Sequence, residues 1–274
     1  MNQYLVIKAN GEKEPFSEKK LIASIRRAGI PQSLESEVAN HVRSNLSPNI
    51  PTREIYHHII EFLKKSYPVG GSIYSLKQSL LELGPSGYPF EKYIAAVLTQ
   101  YGYVCKTNQI LEGECVNHEV DVVAAKDTEN HMIECKYHNQ PGVRSDVKVT
   151  LYVKSRFEDL KRHHGFAKGW LVTNTKCTTD AIQYGNCSGL KVVSWGYPDK
   201  GNLQDLIESS GLYPVTSSTV ISLSQKAILL SHNIILCRDL LHLSPSIQSQ
   251  AKISHEQNLR LVAEAQALVK DNLQ

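Results

Sequence analysis

Two short runs in the middle of the chain place carboxylates and a lysine where they could act together. The runs are HEVDVVA at residues 118–124 and HMIECKY at residues 131–137. Their spacing in sequence is that of neighbouring strands of a hairpin. Asp121, Glu134 and Lys136 would then share one side of a sheet, which is an arrangement that can bind a cation or a phosphate.

Strand alternation supports this arrangement, because successive side chains of a strand point to opposite faces. It places Asp121 on the face opposite Val120 and Val122. In the second run it places Glu134 and Lys136 together, opposite the side chains of Ile133, Cys135 and Tyr137.

A third carboxylate, Glu91, lies one position off the apolar stripe of the preceding predicted helix. Asp121 and Glu134 would repel each other unless a cation lay between them. Because hard oxygen ligands suit Mg²⁺ or Mn²⁺, the cluster predicts a divalent metal site. From spacing alone, Glu134 and Lys136 could equally be an ordinary charged strand face.

Basic residues near the N-terminus could form a second, anion-binding site. Lys8 ends a strand-like run, Lys19 and Lys20 lie in the first turns of a predicted helix, and Arg26 and Arg27 follow. Free backbone N–H groups at a helix N-terminus attract anions, and the ammonium groups add to that attraction. A solvated basic helix face explains the same residues on physical grounds alone.

The elements that carry the N-terminal residues read as a hairpin followed by helices. Tyr4–Lys8 alternates, a turn at Asn10-Gly11 follows, and a second extended stretch ends at Phe16. Ser17 is a suitable helix N-cap. Four apolar periodicities predict helices, carried by Leu21 and Ile25, by Val38 and Val42, by Ile55 and Ile59, and by Ile73, Leu76, Leu80 and Leu83.

The middle of the chain reads as helix, three strands, helix, strand, helix, strand, which predicts a mixed sheet with helices on both faces. The segments are the Phe90–Tyr101 helix, strands at 103–111, 119–125 and 131–137, a helix at 149–163, a strand at 169–173, a short helix and a strand at 191–194. Turn-rich breaks at residues 84–87 and 196–202 predict domains at 1–85, 86–198 and 199–274.

The last part reads as all helical, so the predicted fold class is a multidomain α/β protein with a C-terminal all-α module. Its predicted helices are Leu203–Ser210, Leu223–Ser231, Cys237–Leu243 and Glu256–Asn272.

Composition excludes several classes of protein. The 274 residues are 41% hydrophobic with a net charge of +3, which is ordinary for a globular chain. No apolar run approaches the roughly 18 residues of a membrane span. Six spread cysteines predict reduced thiols and a cytoplasmic protein rather than a disulfide scaffold.

The N-terminal motifs together resemble the ATP-cone, a regulatory nucleotide-binding domain found in many ribonucleotide reductases. The motifs are Val6-Ile7-Lys8-x-x-Gly11, Phe16-Ser17-x-x-Lys20-Leu21, Ile25-Arg26-Arg27-Ala28-Gly29 and Thr52-Arg53-Glu54-Ile55. The resemblance implies a β-hairpin over a helical bundle that binds ATP or dATP. It assigns Lys8 and Lys20 to the phosphates and places Glu14, Ser17 and Thr52 around the nucleotide.

Two positions depart from that family pattern. Ala9 stands where the family usually has Arg, and Tyr56 stands where it usually has His.

The central motifs resemble the Mrr-type branch of the PD-(D/E)XK nucleases. The motifs are Gly87-Tyr88-Pro89-Phe90-Glu91-Lys92, Gly102-Tyr103, Glu119-Val120-Asp121, Ile133-Glu134-Cys135-Lys136 and Gly169-Trp170-Leu171-Val172-Thr173-Asn174. The resemblance implies an αβββαβ core and Mg²⁺-dependent phosphodiester hydrolysis. It assigns Asp121 and Glu134 as metal ligands, Lys136 as the catalytic lysine and Glu91 as the supporting helical acid.

Other patterns have weaker interpretations. Cys115-x-x-His118 and Cys135-x-x-His138 have zinc-like spacing, but residues i and i+3 of a strand point to opposite faces. The basic segment 144–162, which includes Arg156, could contact DNA phosphates or form a solvated helix face. The C-terminal part is similar to a degenerate helix-hairpin-helix domain, with Ser231-His232-Asn233 in place of the glycine, and could bind DNA or serve as a packing module.

The sequence therefore predicts an ATP- or dATP-regulated DNA endonuclease that acts in restriction, repair or phage defence. We expect DNA as a partner, no membrane association and a homo-oligomer. A protein of another class, a nucleotide-sensing DNA-binding regulator with an inactive nuclease fold, is the alternative.

Overall fold

The computed structural model describes residues 4–8 and 11–270. A small three-stranded sheet opens the chain, in which the predicted hairpin of β1 and β2 is joined by a parallel β3. Its strands are β1 (Leu5–Ile7), β2 (Lys13–Pro15) and β3 (Ile50–Pro51). Gly11 has a φ of +83°, as the predicted turn requires, whereas Asn10 and the neighbouring Ala9 lie outside the described residues.

Five helices complete this first part, and the first three of them enclose an apolar core around Ile25, Val38 and Ile59. They are α1 (Glu18–Arg27), α2 (Gln32–Ser44), α3 (Thr52–Ser66), α4 (Pro68–Tyr74) and α5 (Leu76–Leu81). The fourth predicted helix is thus two short helices that meet at Ser75. The Ser75 hydroxyl donates to the Ser72 carbonyl at 2.8 Å, a local bond that competes with a continuous helix.

The predicted mixed sheet is confirmed, with five strands in the order β10-β8-β6-β5-β4. Within this sheet, β4, β5 and β6 are antiparallel neighbours. β8 pairs in parallel with β6, and β10 pairs in parallel with β8. The strands are β4 (Val104–Glu112), β5 (Asn117–Lys126), β6 (Glu129–Lys136), β8 (Phe166–Thr173) and β10 (Lys191–Val193). A separate parallel pair, β7 (Arg144–Ser145) and β9 (Lys176–Cys177), lies beside them.

Helices cover both faces of the central sheet, each burying one apolar side. Two of them, α6 (Tyr88–Gln100) and α9 (Leu203–Ser210), pack into one core cluster with Ile133 and Trp170 of the sheet. The other two, α7 (Val147–His164) and α8 (Thr179–Cys187), pack into the opposite cluster with Met132 and Leu171.

The predicted helical C-terminal region is confirmed. It contains α10 (Leu223–Ser231), α11 (Pro245–Gln250), α12 (His255–Lys270) and two 3-10 helices at Val215–Ser217 and Cys237–His242. The segment predicted as a helix from Cys237 is therefore a 3-10 helix, α11 was not predicted, and Asn272 lies outside the described residues. Asn233 has a φ of +60°, which a short polar side chain tolerates. Its amide oxygen accepts a hydrogen bond from the Lys92 ammonium group of α6 at 2.8 Å, so the turn after α10 contacts the central part of the molecule.

A buried polar network joins the first and last parts of the chain. Glu264 on α12 is 5% exposed and accepts hydrogen bonds from the Ser72 hydroxyl at 2.7 Å and the Thr219 backbone at 2.9 Å. The hydroxyls of Thr219 and Ser218 complete its shell. Because a buried carboxylate needs its partners, this network ties α4 to α12.

All six cysteines, which lie between residues 105 and 237, are free thiols. Within the described residues, no helix combines the length and apolar character needed to cross a membrane.

Candidate active site

The candidate site forms where two central strands separate. The ladder between β5 and β6 ends at the Val122–Ile133 pair, and beyond it β6 pairs only with β8. The Cys135 N–H, which would otherwise face β5 unpaired, donates instead to the Asp121 carboxylate at 2.7 Å. This bond holds Asp121 beside Glu134 at the opening of the sheet.

Strict alternation is wrong on one strand of this opening. Val120 packs into the cluster beneath α7, whereas Val122 packs into the cluster beneath α6, so the two do not share a face opposite Asp121. The neighbouring β4 carries Asn108 at a φ of +53°, and the ladder skips the pair that Asn108 would form with Asp121. The irregular pairing of Asn108 with Asp121 therefore changes the direction in which the β5 side chains point. Ile133 and Cys135 do share a face as predicted.

Glu134 faces a cation from α7. The Arg156 guanidinium donates a short hydrogen bond to the Glu134 carboxylate and a second, of 2.9 Å, to the Glu119 carbonyl. The Tyr152 ring lies 4.6 Å from that guanidinium. Only 12% of the Arg156 side chain is exposed, so in this structure it faces Glu134 and not solvent, and DNA contact by the basic segment stays a prediction. Its position depends on how α7 crosses the sheet, which local sequence does not reveal.

Glu91 reaches the same opening from the first turn of α6. The Asn108 side chain donates to its carboxylate at 3.2 Å, and a Cβ built at Gly87 would lie 3.2 Å from the other oxygen. Glycine at position 87 therefore leaves room for the carboxylate.

The four predicted residues meet at one cavity of about 320 Å³. Its walls are formed by Glu91, Asp121, Glu134 and Lys136, with Pro85, Gly87, Cys135, Tyr137 and Asn139. Lys136 is exposed at this surface, whereas the two carboxylates on the strands are mostly covered. The cavity therefore has carboxylate oxygens, which accept hydrogen bonds, in its interior and the Lys136 ammonium group at its solvent-accessible side.

Burial and mutual repulsion perturb the acidic groups of the cavity. Burial, followed by the nearby charge of Asp121, raises the pKa of Glu134 to about 7 despite the opposing effect of Arg156. Burial and Asp121 likewise raise the pKa of Glu91 to about 7. Burial also raises the pKa of Asp121. Three crowded carboxyl groups of this kind could hold a divalent cation, which would relieve their repulsion.

Two polar residues to which the sequence assigned no role, one of them lining the cavity, connect this region to the first part of the chain. The Tyr137 hydroxyl donates to the Leu81 and Gly84 carbonyls at 2.7 and 3.0 Å. The buried Asn174 amide donates to the Leu80 carbonyl at 3.3 Å and to the His138 carbonyl at 2.7 Å. A polar residue directly after the buried strand β8 was the sequence signal for Asn174.

The predicted nucleotide-binding residues also come together. Lys8 and Lys20 each direct an ammonium group to the same Glu14 oxygen, at 3.0 and 2.9 Å. Hydrogen bonds from Lys20 and then Lys8 lower the pKa of Glu14. Ser17 caps α1 by accepting from the Lys20 N–H at 3.3 Å, and the Thr52 hydroxyl donates to the Ile7 carbonyl at 3.0 Å.

The two Cys-x-x-His pairs have separate surroundings. His118 bonds to Asp159 at 2.8 Å and His138 to Ser145 at 3.1 Å, while Cys135 is buried in the core.

Comparison with known proteins gives three family matches in one chain. They are the ATP cone domain at residues 4–70, the restriction endonuclease domain at 84–196, and the AF1548-like C-terminal region at 213–269. The predicted fusion of an ATP-cone to an Mrr-type nuclease domain is thereby confirmed.

Two similar proteins extend the comparison. A protein of Archaeoglobus fulgidus described as uncharacterized is 36% identical over 178 residues, which are 64% of this chain and 99% of that protein. The crystal structure of AF1548, a protein of unknown function, has 35% identity and a TM-score of 0.57, covering 68% of this chain and all 100% of that one.

Proposed function

Because the chain belongs to the AF1548-like family and joins an ATP cone domain to a restriction endonuclease domain, we propose that it is a divalent-metal-dependent DNA endonuclease regulated by ATP or dATP. The main observation that supports this proposal is that one cavity is lined by Glu91, Asp121, Glu134 and Lys136. We keep three domains in this proposal, at residues 1–85, 86–198 and 199–274.

The donor set fits Mg²⁺ or Mn²⁺. Asp121 and Glu134 would ligate the ion and Glu91 would support it, all through hard carboxylate oxygens. Burial and then the charge of Asp121 raise the pKa values of Glu91 and Glu134 to about 7, and a bound cation would offset both effects. When bound, such an ion acidifies a coordinated water and stabilises charge on a phosphate group.

The remaining chemistry belongs to the protein. Lys136, exposed beside the carboxylates, would orient the attacking water or donate to a phosphoryl oxygen as its charge grows. The Cys135 N–H holds Asp121 in place, and Asn108 holds Glu91. Arg156 shares the Glu134 carboxylate and would restrain its orientation during the reaction.

A continuous series of contacts supports nucleotide control of this cavity. Thr52 begins α3, on which Tyr56 stacks against Tyr74 of α4 at 5.9 Å. The following α5 offers carbonyl groups that accept hydrogen bonds from Tyr137, which lines the cavity, and from Asn174. A nucleotide that moves α3 would therefore act on the cavity through α4 and α5, provided that it binds two conformations with different affinity.

Cleavage of plasmid and linear DNA tests the proposal. The full chain is assayed with Mg²⁺, Mn²⁺ or a chelator, each with no nucleotide, ATP or dATP. Lys136→Ala should abolish metal-dependent cleavage, whereas Lys106→Ala, at an exposed position on β4, should retain it. Light scattering with and without nucleotide tests the expected homo-oligomer.

Cleavage that persists in Lys136→Ala would contradict the assigned site. Tight DNA binding without cleavage, unchanged by Lys136→Ala, would favour the nucleotide-sensing regulator instead.

A further inference from the structure

Two histidines and a glutamate converge on the side of the ATP-cone formed by α2 and α3. His41 lies in the last turn of α2, and His58 and Glu61 lie on α3. One ligand atom from each of the three lies within 4.8 Å of the other two. Residues three apart on a helix are neighbours on its surface, so α3 presents His58 and Glu61 as a pair toward α2.

The surroundings of His41 leave a ring nitrogen without a partner. Its Nε2 atom is buried and has no hydrogen bond within residues 4–8 and 11–270. The ring packs against Phe62 at 5.5 Å and edge-on to His58 at 6.1 Å between centroids. A buried imidazole nitrogen normally finds a partner, because leaving it unpaired costs free energy. A metal ion would supply that partner.

Glu61 completes the donor set from the solvent side. Its side chain is 57% exposed and pairs with Lys65 at 3.1 Å. The hydrogen bond from Lys65 lowers the pKa of Glu61, so its carboxylate is charged at neutral pH. A flexible exposed carboxylate can turn from Lys65 toward an ion held between the histidines.

We propose that His41, His58 and Glu61 form a binding site for a transition-metal ion of the Zn²⁺ class that fastens α2 to α3. Two imidazoles and one carboxylate form a ligand set that zinc uses, with a further position left for water. Ligand atoms of a tetrahedral site with bonds of roughly 2.0–2.1 Å lie roughly 3.3 Å apart, so side-chain movement closes the cluster on an ion. The donors differ from those of the nuclease cavity, which are all oxygens and suit Mg²⁺.

Cobalt titration tests the site in the full chain. Metal-stripped protein carrying Asp121→Asn, which disables the proposed nuclease metal site, is titrated with Co²⁺ in the absence of nucleotide. We expect visible d–d absorption that saturates at one ion per chain and lacks the intense thiolate charge-transfer band. Zn²⁺ should displace the cobalt and raise the melting temperature.

Variants locate the ion. Removal of a residue that only hydrogen-bonds to a metal ligand costs about 10–100-fold in metal affinity. Removal of a ligand itself, in His41→Ala or His58→Ala, should therefore weaken Co²⁺ binding at least about 100-fold. Glu61→Gln, at an exposed position that should not disturb folding, should weaken it about tenfold or more. His57→Ala, next to the cluster but outside it, is the matched control and should bind as the parent does.

Absence of Co²⁺ binding in the Asp121→Asn chain would overturn the site. So would affinity unchanged by both His58→Ala and Glu61→Gln, or an intense thiolate band, which would assign the ion to cysteine. The DNA-cleavage assay does not enter these measurements, so the metal site and the nuclease proposal can fail independently.

Discussion

Arg156 and Glu134 form an ion pair beside the candidate active site, linking α7 to the strand that carries one of the proposed metal ligands. Their side chains are only 12% and 15% exposed. A guanidinium this close to a cation site both orients the carboxylate and repels the cation. Which effect dominates would decide how tightly the proposed site holds a divalent cation.

We expect Arg156→Met to increase affinity for Mn²⁺ about tenfold, because loss of a repulsion of several kcal/mol between like charges at an effective dielectric of about 20 outweighs the lost orientation of Glu134, which opposes it. Isothermal titration measures the change. Arg162→Met, on the same helix but paired with exposed Glu114, should leave it unaltered. Weaker binding in Arg156→Met would mean that orientation of Glu134 dominates.

The stability of chelator-treated protein should fall as pH rises. Glu91 and Glu134 have pKa values raised to about 7 from 4.5, so the folded state holds their protons more tightly than the unfolded state does. Their stabilising contribution is complete below pH 4.5 and is lost as pH passes through about 7. Melting curves of wild type and of the Glu91→Gln/Glu134→Gln variant should converge at low pH.

Above pH 7 the melting temperatures of the two proteins should separate, with the double variant melting higher than wild type in chelator. Added Mg²⁺ should stabilise only wild type there. Parallel pH profiles of the two proteins would show that these carboxyl groups do not titrate as described.

Tyr137→Phe should reduce the effect of nucleotide on cleavage, because it removes both hydrogen bonds to the Leu81 and Gly84 carbonyls. The ratio of cleavage rates with and without ATP measures this effect. Tyr101→Phe removes a comparable bond, of 2.9 Å to the Leu206 carbonyl, and should preserve the ratio. If the ratio of cleavage rates is the same in Tyr137→Phe as in Tyr101→Phe, the nucleotide effect does not pass through the Tyr137 hydrogen bonds.

Lys20→Ala should weaken ATP binding roughly 10–100-fold, as expected for loss of a charged hydrogen bond worth about 1.5–3 kcal/mol. Lys19→Ala, at the adjacent helix position, is the control. Calorimetry of the full chain gives both affinities, and equal losses would point to general charge attraction in place of a defined contact.

Glu264→Ala should lower the free energy of unfolding by roughly 2–4 kcal/mol, because each buried donor left without an acceptor costs about 1–3 kcal/mol and rearrangement recovers part of that cost. The buried hydroxyl of Ser72 and the backbone N–H of Thr219 would lose their acceptor. Glu264→Gln keeps an acceptor oxygen and should cost less. Denaturant unfolding provides the comparison, and a loss below about 1 kcal/mol in Glu264→Ala would mean that water or rearrangement replaces the network.

Local sequence correctly predicted that the residues of the candidate site on β5 and β6 lie on strands. Alternation on β6 correctly separated Ile133 and Cys135 from Glu134, since that strand remains paired with β8 on its other side. Alternation failed around Asp121 because the ladder there is irregular, and pairing irregularities depend on both strands.

Contacts between distant segments were beyond local patterns. Nothing in the sequence near Arg156 indicates Glu134, which lies 22 positions away, and nothing near Ser72 indicates Glu264, 192 positions away. The break at Ser75 was missed because apolar periodicity continues through it, while the hydroxyl that ends α4 leaves that periodicity unchanged.

The bonds that Tyr137 and Asn174 make toward α5 all end on main-chain oxygens. An ordinary substitution of Leu80 or Leu81 changes packing but leaves these acceptors in place. The attachment of α5 to the nuclease domain can therefore tolerate sequence drift along α5, whereas it depends on the backbone path and on two side chains of the nuclease domain. Proline introduced into α5 should be far more disruptive to this attachment than exchange among apolar residues.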